Sequence, residues 1–290
     1  MNFVAVFFAF NRPDLLRLSV KYFEEAQESS EWQRILVWQR GSGNMKSEVE
    51  LLKNYFDLVI EVPGDKLTTL SNINFNRILG MRVAFKHLNA DFVLGIEEDS
   101  IVSNDSLVFI NYAYRKYKQN RKFMGVNLGS LESKDSNRLN GYTRLRYGLQ
   151  GQAGGLTKNA WKSCERLLNK FDMDRVGWDS RIEYYLKTGF MVTPNVSRMN
   201  DLGWNEGTHA PSDPNHIHYR QLTENWLAQY QIKEKSYLEI PIVHSWRRDA
   251  HQYKLSTSFA AIIRRYSILR RIKLSINALV GKNFTNFHSN

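Results

Sequence analysis

The sequence predicts an α/β protein, on two observations. In the first hundred residues, four short apolar runs alternate with segments whose apolar residues recur at helical spacing. Strands and helices that alternate in this way form βαβ units with right-handed crossovers. The chain has 290 residues, of which 42% are hydrophobic and 13% aromatic, so it is also long enough to bury a sizeable core.

The first half supplies four predicted strands, at residues 3–10, 34–38, 58–62 and 92–96. Pro13 suits the first position of a helix after the first strand, and Leu16, Val20 and Phe23 give that helix an apolar face. Further helices are predicted at 48–56 and 74–88. A helix from about Ser106 is expected to be capped by the preceding residue, Asp105, or by Asn104.

The second half is less regular. Strands are predicted at 122–128, 142–149 and 190–196, and helices at about 159–169 and 177–187. Residues 151–155 contain three glycines and are expected to form a flexible loop. Such a loop is either a plain turn or a backbone that approaches a ligand closely, which makes Gly154 and Gly155 candidate site residues.

Residues 257–290 are predicted to form a basic amphipathic helical tail. Apolar residues recur there at helical spacing, from Phe259 to Val280, and basic residues such as Arg264 and Arg270 are interleaved with them. A helix of this kind either binds an anionic membrane surface or packs against the main domain.

Composition narrows the class of partner. The net charge of +11 favours an anionic partner such as a nucleotide phosphate or an anionic lipid. No arginine-rich tract, zinc-ligand pattern or helix-turn-helix signature is present, so nucleic acid is not expected. The single cysteine, Cys164, excludes an internal disulfide, fits a reducing compartment and is predicted to be a small buried residue.

The most informative stretch is the fourth strand, because it ends in three adjacent carboxylates, Glu97, Glu98 and Asp99. Three neighbouring acids repel one another unless a cation lies among them. In open α/β sheets, ligands bind outside the carboxyl ends of the strands. The stretch is therefore interpreted as a cation and phosphate site, with a solvated acidic turn as the alternative.

Other motifs exclude two common nucleotide-binding classes. No GxGxxG follows the first strand and no GxxxxGK[ST] occurs anywhere, so neither ordinary Rossmann dinucleotide binding nor P-loop chemistry is expected. Asp179 opens a predicted helix, where it is either a carboxylate favoured by the helix dipole or a functional group. His209, His216 and His218 do not match a recognised metal spacing and are interpreted as loop histidines.

Five segments of the chain occur in the order and spacing of a known family. They are residues 6–12 (VFFAFNR), 35–39 (ILVWQ), 96–103 (IEEDSIVS), 177–179 (GWD), and 194–198 (PNVSR) followed by 207–209 (GTH). Together they resemble GT-A glycosyltransferases, most closely the family-13 group of α-mannoside β-1,2-N-acetylglucosaminyltransferase I.

The resemblance implies the GT-A fold, a Rossmann-like mixed sheet flanked by helices, over residues 1–256. About 1–105 would bind the nucleotide sugar and about 106–256 the acceptor, followed by the tail, 257–290. It also implies that Asp99 coordinates Mn²⁺ or Mg²⁺ on the donor diphosphate and that Asp179 is the catalytic base. The remaining implied site residues are Phe10, Arg12, Gln39, Glu97, Glu98 and Trp178 on the donor side, and Gly154, Gly155, Arg198 and His209 as acceptor or loop candidates.

The chain departs from the family pattern at several positions. At the middle acid of the family's acidic motif this chain has Glu98, whose side chain has a longer reach. Ser180 replaces a second aspartate after the tryptophan, and Arg40 stands where the family has an acidic residue for the uracil ring. A UDP-sugar is still the favoured donor. The family's Golgi anchor and stem have no counterpart, which predicts a bacterial enzyme on the cytoplasmic face of the cell membrane.

The expected function is therefore metal-dependent, inverting transfer of a hexose or N-acetylhexosamine to a saccharide acceptor, free or lipid-linked, in surface polysaccharide or lipooligosaccharide synthesis. One alternative is a sugar-nucleotide nucleotidyltransferase, although that class carries a glycine-rich loop after the first strand. The other is a catalytically inactive sugar- or lipid-binding module, against which the acids at Asp99 and Asp179 argue.

Overall fold

A computed structural model of the chain describes residues 1–40, 43–64, 68–129, 141–145, 149, 153–169, 172–205 and 238–239. All of them belong to a compact unit, Met1–Pro241. A second unit, Ile242–Asn290, lies outside the described residues. The predicted tail, 257–290, lies within that second unit.

Strands and helices alternate through most of the described chain. The strands are β1 Phe3–Ala9, β2 Trp32–Gln39, β3 Leu58–Val62, β4 Phe92–Glu97, β5 Ser100–Val102, β6 Phe123–Asn127, β7 Gly141–Leu145, β8 Ala153–Thr157, β9 Phe190–Pro194, β10 Met199–Asp201 and β11 Leu238–Glu239. The α-helices are α1 Pro13–Glu25, α2 Gly43–Leu52, α3 Thr69–Arg82, α4 Ser106–Tyr117, α5 Lys158–Leu168 and α6 Trp178–Leu186.

Nine of these strands form one mixed sheet, in the order β11-β7-β9-β6-β8-β4-β1-β2-β3. Strands β4, β1, β2 and β3 pair in parallel, whereas β8 runs antiparallel to both β4 and β6. Strands β5 and β10 form a separate antiparallel pair. The predicted fold class, a Rossmann-like mixed sheet flanked by helices, is confirmed.

Helices cover both faces of the sheet. Along β1, Phe3 and Phe7 point into one core cluster, and Val4 and Val6 point into the other. Helices α1, α2 and α4 pack into the first cluster, whereas α3, α5 and α6 pack into the second. Because each central strand is buried on both sides, its sequence is a continuous apolar run rather than an alternating pattern.

The strand order places a switch point between β1 and β4. The chain runs outward from β1 through β2 to β3, and then returns through α3 to β4 on the other side of β1. Phe8 of β1 lies opposite Glu97 of β4, so the loop after β1 meets the acidic end of β4. Ligands of open α/β sheets bind in the crevice at such a switch point.

Several element boundaries differ from the sequence predictions. Helix α2 begins at Gly43 and ends before a 3₁₀ turn, Lys53–Tyr55, rather than spanning 48–56. Helix α3 begins at Thr69, five residues before the predicted start. Its N-cap is Thr68, whose hydroxyl accepts a hydrogen bond from the Ser71 amide at 3.2 Å. The early start was missed because the first turns of α3 bury polar residues instead of apolar ones.

The prediction of a flexible loop at 151–155 is wrong for residues 153–155, which lie inside β8. This strand is wedged between β4 and β6, where side chains leave little room. A Cβ on Gly155 would lie 2.3 Å from the Phe92 ring, and one on Gly125 would lie 2.0 Å from the Gly155 carbonyl oxygen. The glycines therefore permit close strand packing, and both Gly154 and Gly155 are buried in the sheet.

The capping prediction for α4 is correct in position but not in interaction. Asp105 is the N-cap residue, yet its carboxylate makes no capping bond. It accepts hydrogen bonds from Ser103 Oγ at 2.9 Å and from Arg198 Nε at 2.9 Å. Arg198 is fully buried with its guanidinium 4.7 Å from the centre of the Phe109 ring. This ion pair fastens the segment before β10 to the start of α4.

Cys164 is fully buried on α5, which confirms the prediction of a small core residue. Burial raises the pKa of its thiol to about 12. The thiolate, which is the reactive form of cysteine, is therefore scarce at neutral pH.

Candidate active site

The three acids at the end of β4 form a desolvated turn, referred to below as the acidic turn. Glu98 and Asp99 keep only 2% and 5% of their surface exposed, whereas the Glu97 side chain keeps 34%. The alternative of a solvated acidic turn is therefore wrong. Buried carboxylates need partners, because removing a charge from water without a partner is costly.

Glu98 holds the loop that follows β1. Its Oε2 accepts hydrogen bonds from the Phe10 amide at 2.6 Å and from the Arg12 amide at 3.4 Å. Its Oε1 forms an ion pair with Arg12 Nε at 2.9 Å. These contacts place Glu98 underneath the loop, where it shapes the wall of the crevice.

Glu97 pairs with a residue that the sequence reasoning did not identify. Arg77 of α3 is buried, forms an ion pair with Glu97, and lies with its guanidinium 4.2 Å from the centre of the Phe8 ring. Glu97 remains the most exposed member of the acidic turn. It is thus both oriented by α3 and partly exposed to solvent.

Asp99 has one paired oxygen and one open one. Its Oδ2 forms an ion pair with Arg12 Nη2 at 2.8 Å, whereas Oδ1 is buried and has no hydrogen-bond partner among the described residues. Burial and the charge of Glu97 raise the pKa of Asp99, against the effect of Arg12. Gly203 lies directly against this carboxylate, since a Cβ there would be 2.0 Å from Oδ2.

A fourth acid, Asp201, lies beside the acidic turn and was not predicted as a site residue. The antiparallel pairing of β10 with β5 places it opposite Ser100, and its Oδ1 accepts a hydrogen bond from the Gly203 amide at 2.8 Å. Burial, followed by the charges of Asp99 and Glu97, raises the pKa of Asp201 to about 7. The one sequence signal that could have identified Asp201 as a site residue is its position in a loop after the strand predicted at 190–196.

These charges favour a divalent cation. The four carboxylates and the two guanidiniums of Arg12 and Arg77 sum to −2 when all are ionised. Carboxylate oxygens are ligands that hard divalent ions prefer. No group of three or more potential metal ligands occurs in the described part of the chain. Mg²⁺ is often held by only one or two protein carboxylates. The Oδ1 of Asp99, which has no hydrogen-bond partner among the described residues, is one oxygen that could take that role.

Trp178 and Asp179 begin α6, which packs against α3. The Trp178 amide donates a hydrogen bond to Asn74 Oδ1 of α3 at 2.8 Å. Asn74 and Arg77 are three residues apart and therefore share a face of that helix. Helix α3 thus holds Trp178 through Asn74 and Glu97 through Arg77. Asp179 itself is half-buried.

Two predicted donor-side residues lie at the ends of β1 and β2. Phe10 directly follows β1 and is exposed. Gln39 is buried, and its amide packs against Gly64, where a Cβ would be 2.2 Å from Nε2. The neighbouring Arg40 forms an exposed ion pair with Glu61 on β3.

The predicted acceptor residues are not brought together. Gly154 and Gly155 lie inside the sheet, and Arg198 has no exposed surface with which to contact an acceptor. His209 lies outside the described residues. The structure thus brings Phe10, Arg12, Glu98 and Asp99 into contact and adds Arg77 and Asp201 beside the acidic turn. It does not connect Gln39 or Trp178 to them directly, and the acceptor side stays a prediction.

The sequence matches no protein-family model and no curated protein. Solved structures are similar at the level of the fold. S. aureus TarS is 11% identical with a TM-score of 0.47, over 67% of this chain and 35% of that one. A structure of S. aureus TarS 1–349 is 11% identical with a TM-score of 0.49, over 91% of this chain and 79% of that one. The mannosyltransferase PcManGT from Pyrobaculum calidifontis, in complex with GDP-Man and Mn²⁺, is 11% identical with a TM-score of 0.43, over 99% of this chain and 87% of that one.

The chain spans about a third of the length of the first TarS structure. Likenesses this remote do not assign an activity to the chain. What the chain can do is decided by the chemistry of the crevice.

The raised pKa of Asp201 predicts a pH-dependent cost to stability. The folded state holds the Asp201 proton up to about pH 7, whereas an unfolded aspartate loses it near pH 4. The contribution of Asp201 to stability is therefore fully present below about pH 4 and is lost as the pH rises through about 7. We expect Asp201→Asn, unfolded in urea with EDTA present, to be more stable than the wild type by an amount that grows from about 1.5 kcal/mol at pH 5 to about 4 kcal/mol at pH 8.

Asp14→Asn, which removes an exposed carboxylate from α1, controls for the change in net charge. If the difference between Asp201→Asn and the wild type stays constant from pH 5 to 8, Asp201 is not the titrating group.

Proposed function

We propose that the protein is a metal-dependent glycosyltransferase of the GT-A type, which moves a sugar from a nucleotide-sugar donor to a saccharide acceptor. One observation carries the proposal. The Oδ1 of Asp99 is buried, has no hydrogen-bond partner among the described residues, and lies near Asp201 at the switch point of an α/β sheet. An excess of negative charge with the half-exposed Arg12 beside it suits a metal ion together with a diphosphate.

Asp99 and Asp201 are the residues that would hold Mn²⁺ or Mg²⁺. When bound, the ion supplies Lewis-acid neutralisation of the departing nucleoside diphosphate. Arg12 keeps 29% of its side chain exposed beside Asp99, so it is placed to contact a phosphate oxygen. Glu97, the most exposed acid of the turn, serves ribose or sugar hydroxyls, and the exposed ring of Phe10 offers a surface for the base.

Asp179 serves as the general base. It removes the proton of the acceptor hydroxyl while the hydroxyl oxygen forms a bond to the anomeric carbon. The bond from that carbon to the diphosphate oxygen breaks in the same step, so the configuration inverts. Holding donor and acceptor in line accounts for much of the rate enhancement. The resemblance assigns to Trp178 the shaping of the sugar pocket, and its side chain is buried in the core cluster on the α3 side of the sheet.

The finer assignments rest on the sequence. The resemblance to family 13 favours a UDP-sugar and transfer of an N-acetylhexosamine or hexose. The basic tail, 257–290, favours a lipid-linked acceptor on an anionic membrane, as in bacterial surface polysaccharide or lipooligosaccharide synthesis. No helix among the described residues is both long and apolar enough to cross a membrane.

A nucleotidyltransferase fits the crevice less well. That class needs a glycine-rich loop around its nucleotide, but β1 leads through only three residues into α1. Arg12 in that connection is fixed by Glu98 and Asp99. An inactive binding module is disfavoured by the coexistence of an open acid at Asp99 and a base candidate at Asp179.

The donor and the metal are tested together by thermal unfolding with a panel of nucleotide sugars, each with Mn²⁺ and with EDTA. We expect one nucleotide sugar to raise the stability of the wild type only with Mn²⁺. At a hundredfold excess over its dissociation constant the gain is about 2.7 kcal/mol. Asp99→Ala should lose that gain, because the metal loses its buried ligand.

Asp14→Ala, on the exposed surface of α1, should keep the full Mn²⁺-dependent gain. The absence of a metal-dependent shift with every nucleotide sugar would remove the support for sugar transfer.

Asp179→Asn keeps the size of the side chain but cannot accept a proton at neutral pH. We expect kcat for transfer to fall about a hundredfold or more, with donor affinity unchanged. Product configuration, read by NMR, should be inverted in the wild type. The matched control is Glu183→Gln, which neutralises an acid on the same helix that pairs with Lys187. Near-normal transfer by Asp179→Asn, or a retained configuration, would refute the assignment of the base.

Deletion of residues 257–290 tests the tail. We expect the shortened protein to lose sedimentation with anionic liposomes while it keeps Mn²⁺-dependent hydrolysis of the donor, because the tail supplies the basic amphipathic surface. Unchanged liposome binding after the deletion would show that the tail is not the anchor.

A further inference from the structure

Helix α3 buries a row of polar side chains where an apolar stripe is the rule. Ser71, Asn74 and Arg77 are spaced three residues apart, so they follow one side of the helix, and each is almost wholly buried. We refer to these three residues as the polar stripe of α3. Burying polar groups is tolerated only when each has partners, so the contacts of this stripe identify what it holds.

Asn74 lies at the centre of the stripe and makes three hydrogen bonds to one segment. Its Oδ1 accepts from the Trp178 amide at 2.8 Å, and its Nδ2 donates to the carbonyl oxygens of Met173 at 2.7 Å and Val176 at 2.9 Å. The side chain therefore clamps the loop before α6 on both sides of its turn.

Helix α6 depends on this clamp for its start. The first amides of a helix have no partner within the helix and are usually capped by a local side chain. The N-cap residue of α6 is Gly177, which has no side chain, and no capping bond is made there. Asn74 supplies the missing acceptor from another helix.

The polar stripe continues the fastening at both ends. Ser71 Oγ donates to Asp174 Oδ1 at 2.9 Å, as does Thr68 Oγ1 at 2.7 Å, which secures the beginning of the same loop. At the other end, Arg77 pairs with Glu97 of the acidic turn. One rigid helix thus holds the loop before Asp179 and an acid of the donor site.

We propose that Asn74 is a positioning residue for sugar transfer: by holding the Trp178 amide, it fixes Asp179 relative to the donor site. The inference rests on the proposed function, since it assigns to Asp179 the role of the base. Asn74 does not contact the acidic turn itself, so it acts on the geometry of the base and not on donor binding.

The predicted consequence is a loss in kcat without a loss in donor affinity. A displacement of about 1 Å in a reacting group can cost about a hundredfold in rate. We expect Asn74→Ala to lower kcat between tenfold and a hundredfold, with the KM for the donor and the Mn²⁺-dependent thermal shift unchanged. Hydrogen exchange at the Trp178 amide should become faster, because its acceptor is gone.

Two controls separate positioning from a general loss of stability. Ile182→Val trims a fully buried side chain on α6, the helix that carries Asp179, and leaves the Trp178 amide bonded to Asn74. Its kcat should therefore stay at the wild-type value. In the Asp179→Asn background, Asn74→Ala should lower kcat no further, because a residue that acts through the base has nothing left to position. If Asn74→Ala does not fold, Asn74→Ser replaces it. Serine is a milder change, and its hydroxyl is too short to reach the Trp178 amide that Asn74 Oδ1 bonds.

The outcomes are distinguishable. Unchanged kcat in Asn74→Ala, or a further loss of the same size in the Asp179→Asn background, overturns the positioning role. Unchanged exchange at the Trp178 amide overturns it as well, and that measurement needs no substrate. A wild type that transfers no sugar from any donor overturns the proposed function instead, while exchange at Trp178 still reports on the clamp.

Discussion

The desolvation of two carboxylates at the end of β4 is the constraint on which the rest of the site depends. Glu98 and Asp99 are almost fully buried, and Arg12 neutralises only part of their charge. A buried ion pair is stabilising only when its geometry is good and its remaining lone pairs are satisfied. The loop after β1 meets this demand for Glu98, because its backbone amides point at the carboxylate. For Asp99 one oxygen has no hydrogen-bond partner among the described residues, and a cation would supply one.

The same demand explains why polar residues are buried elsewhere. Arg77 on α3 has to reach Glu97, so the helix face that carries it cannot be apolar. Asn74, one turn earlier on that face, then joins α3 to the loop before α6. The polar stripe of α3 thus follows from the acidic turn and carries its position across to Asp179. On the opposite face of the sheet, Arg198 and Asp105 play a comparable part by fixing the segment that leads to Asp201.

The sequence predicted the central strands well for a physical reason. A strand buried on both faces is a continuous apolar run, and β1 to β4 were all located to within two residues. Prediction failed where local pattern and tertiary environment disagree. The glycines of β8 looked like a loop, but a side chain at Gly155 would collide with the Phe92 ring and the Val93 carbonyl oxygen, so the strand needs a glycine there. The start of α3 was missed because its buried face is polar.

The sequence by itself determined the α/β class and the acidic turn, because strand periodicity and a cluster of like charges are local properties of the chain. Only the tertiary structure decided which residues join the turn. Asp201 arrives through the pairing of β10 with β5, about a hundred residues apart in the chain, and Arg77 through the packing of α3 on the sheet. No local pattern encodes such contacts, since they arise from long-range pairing and from the requirement that every buried charge and polar group find a partner.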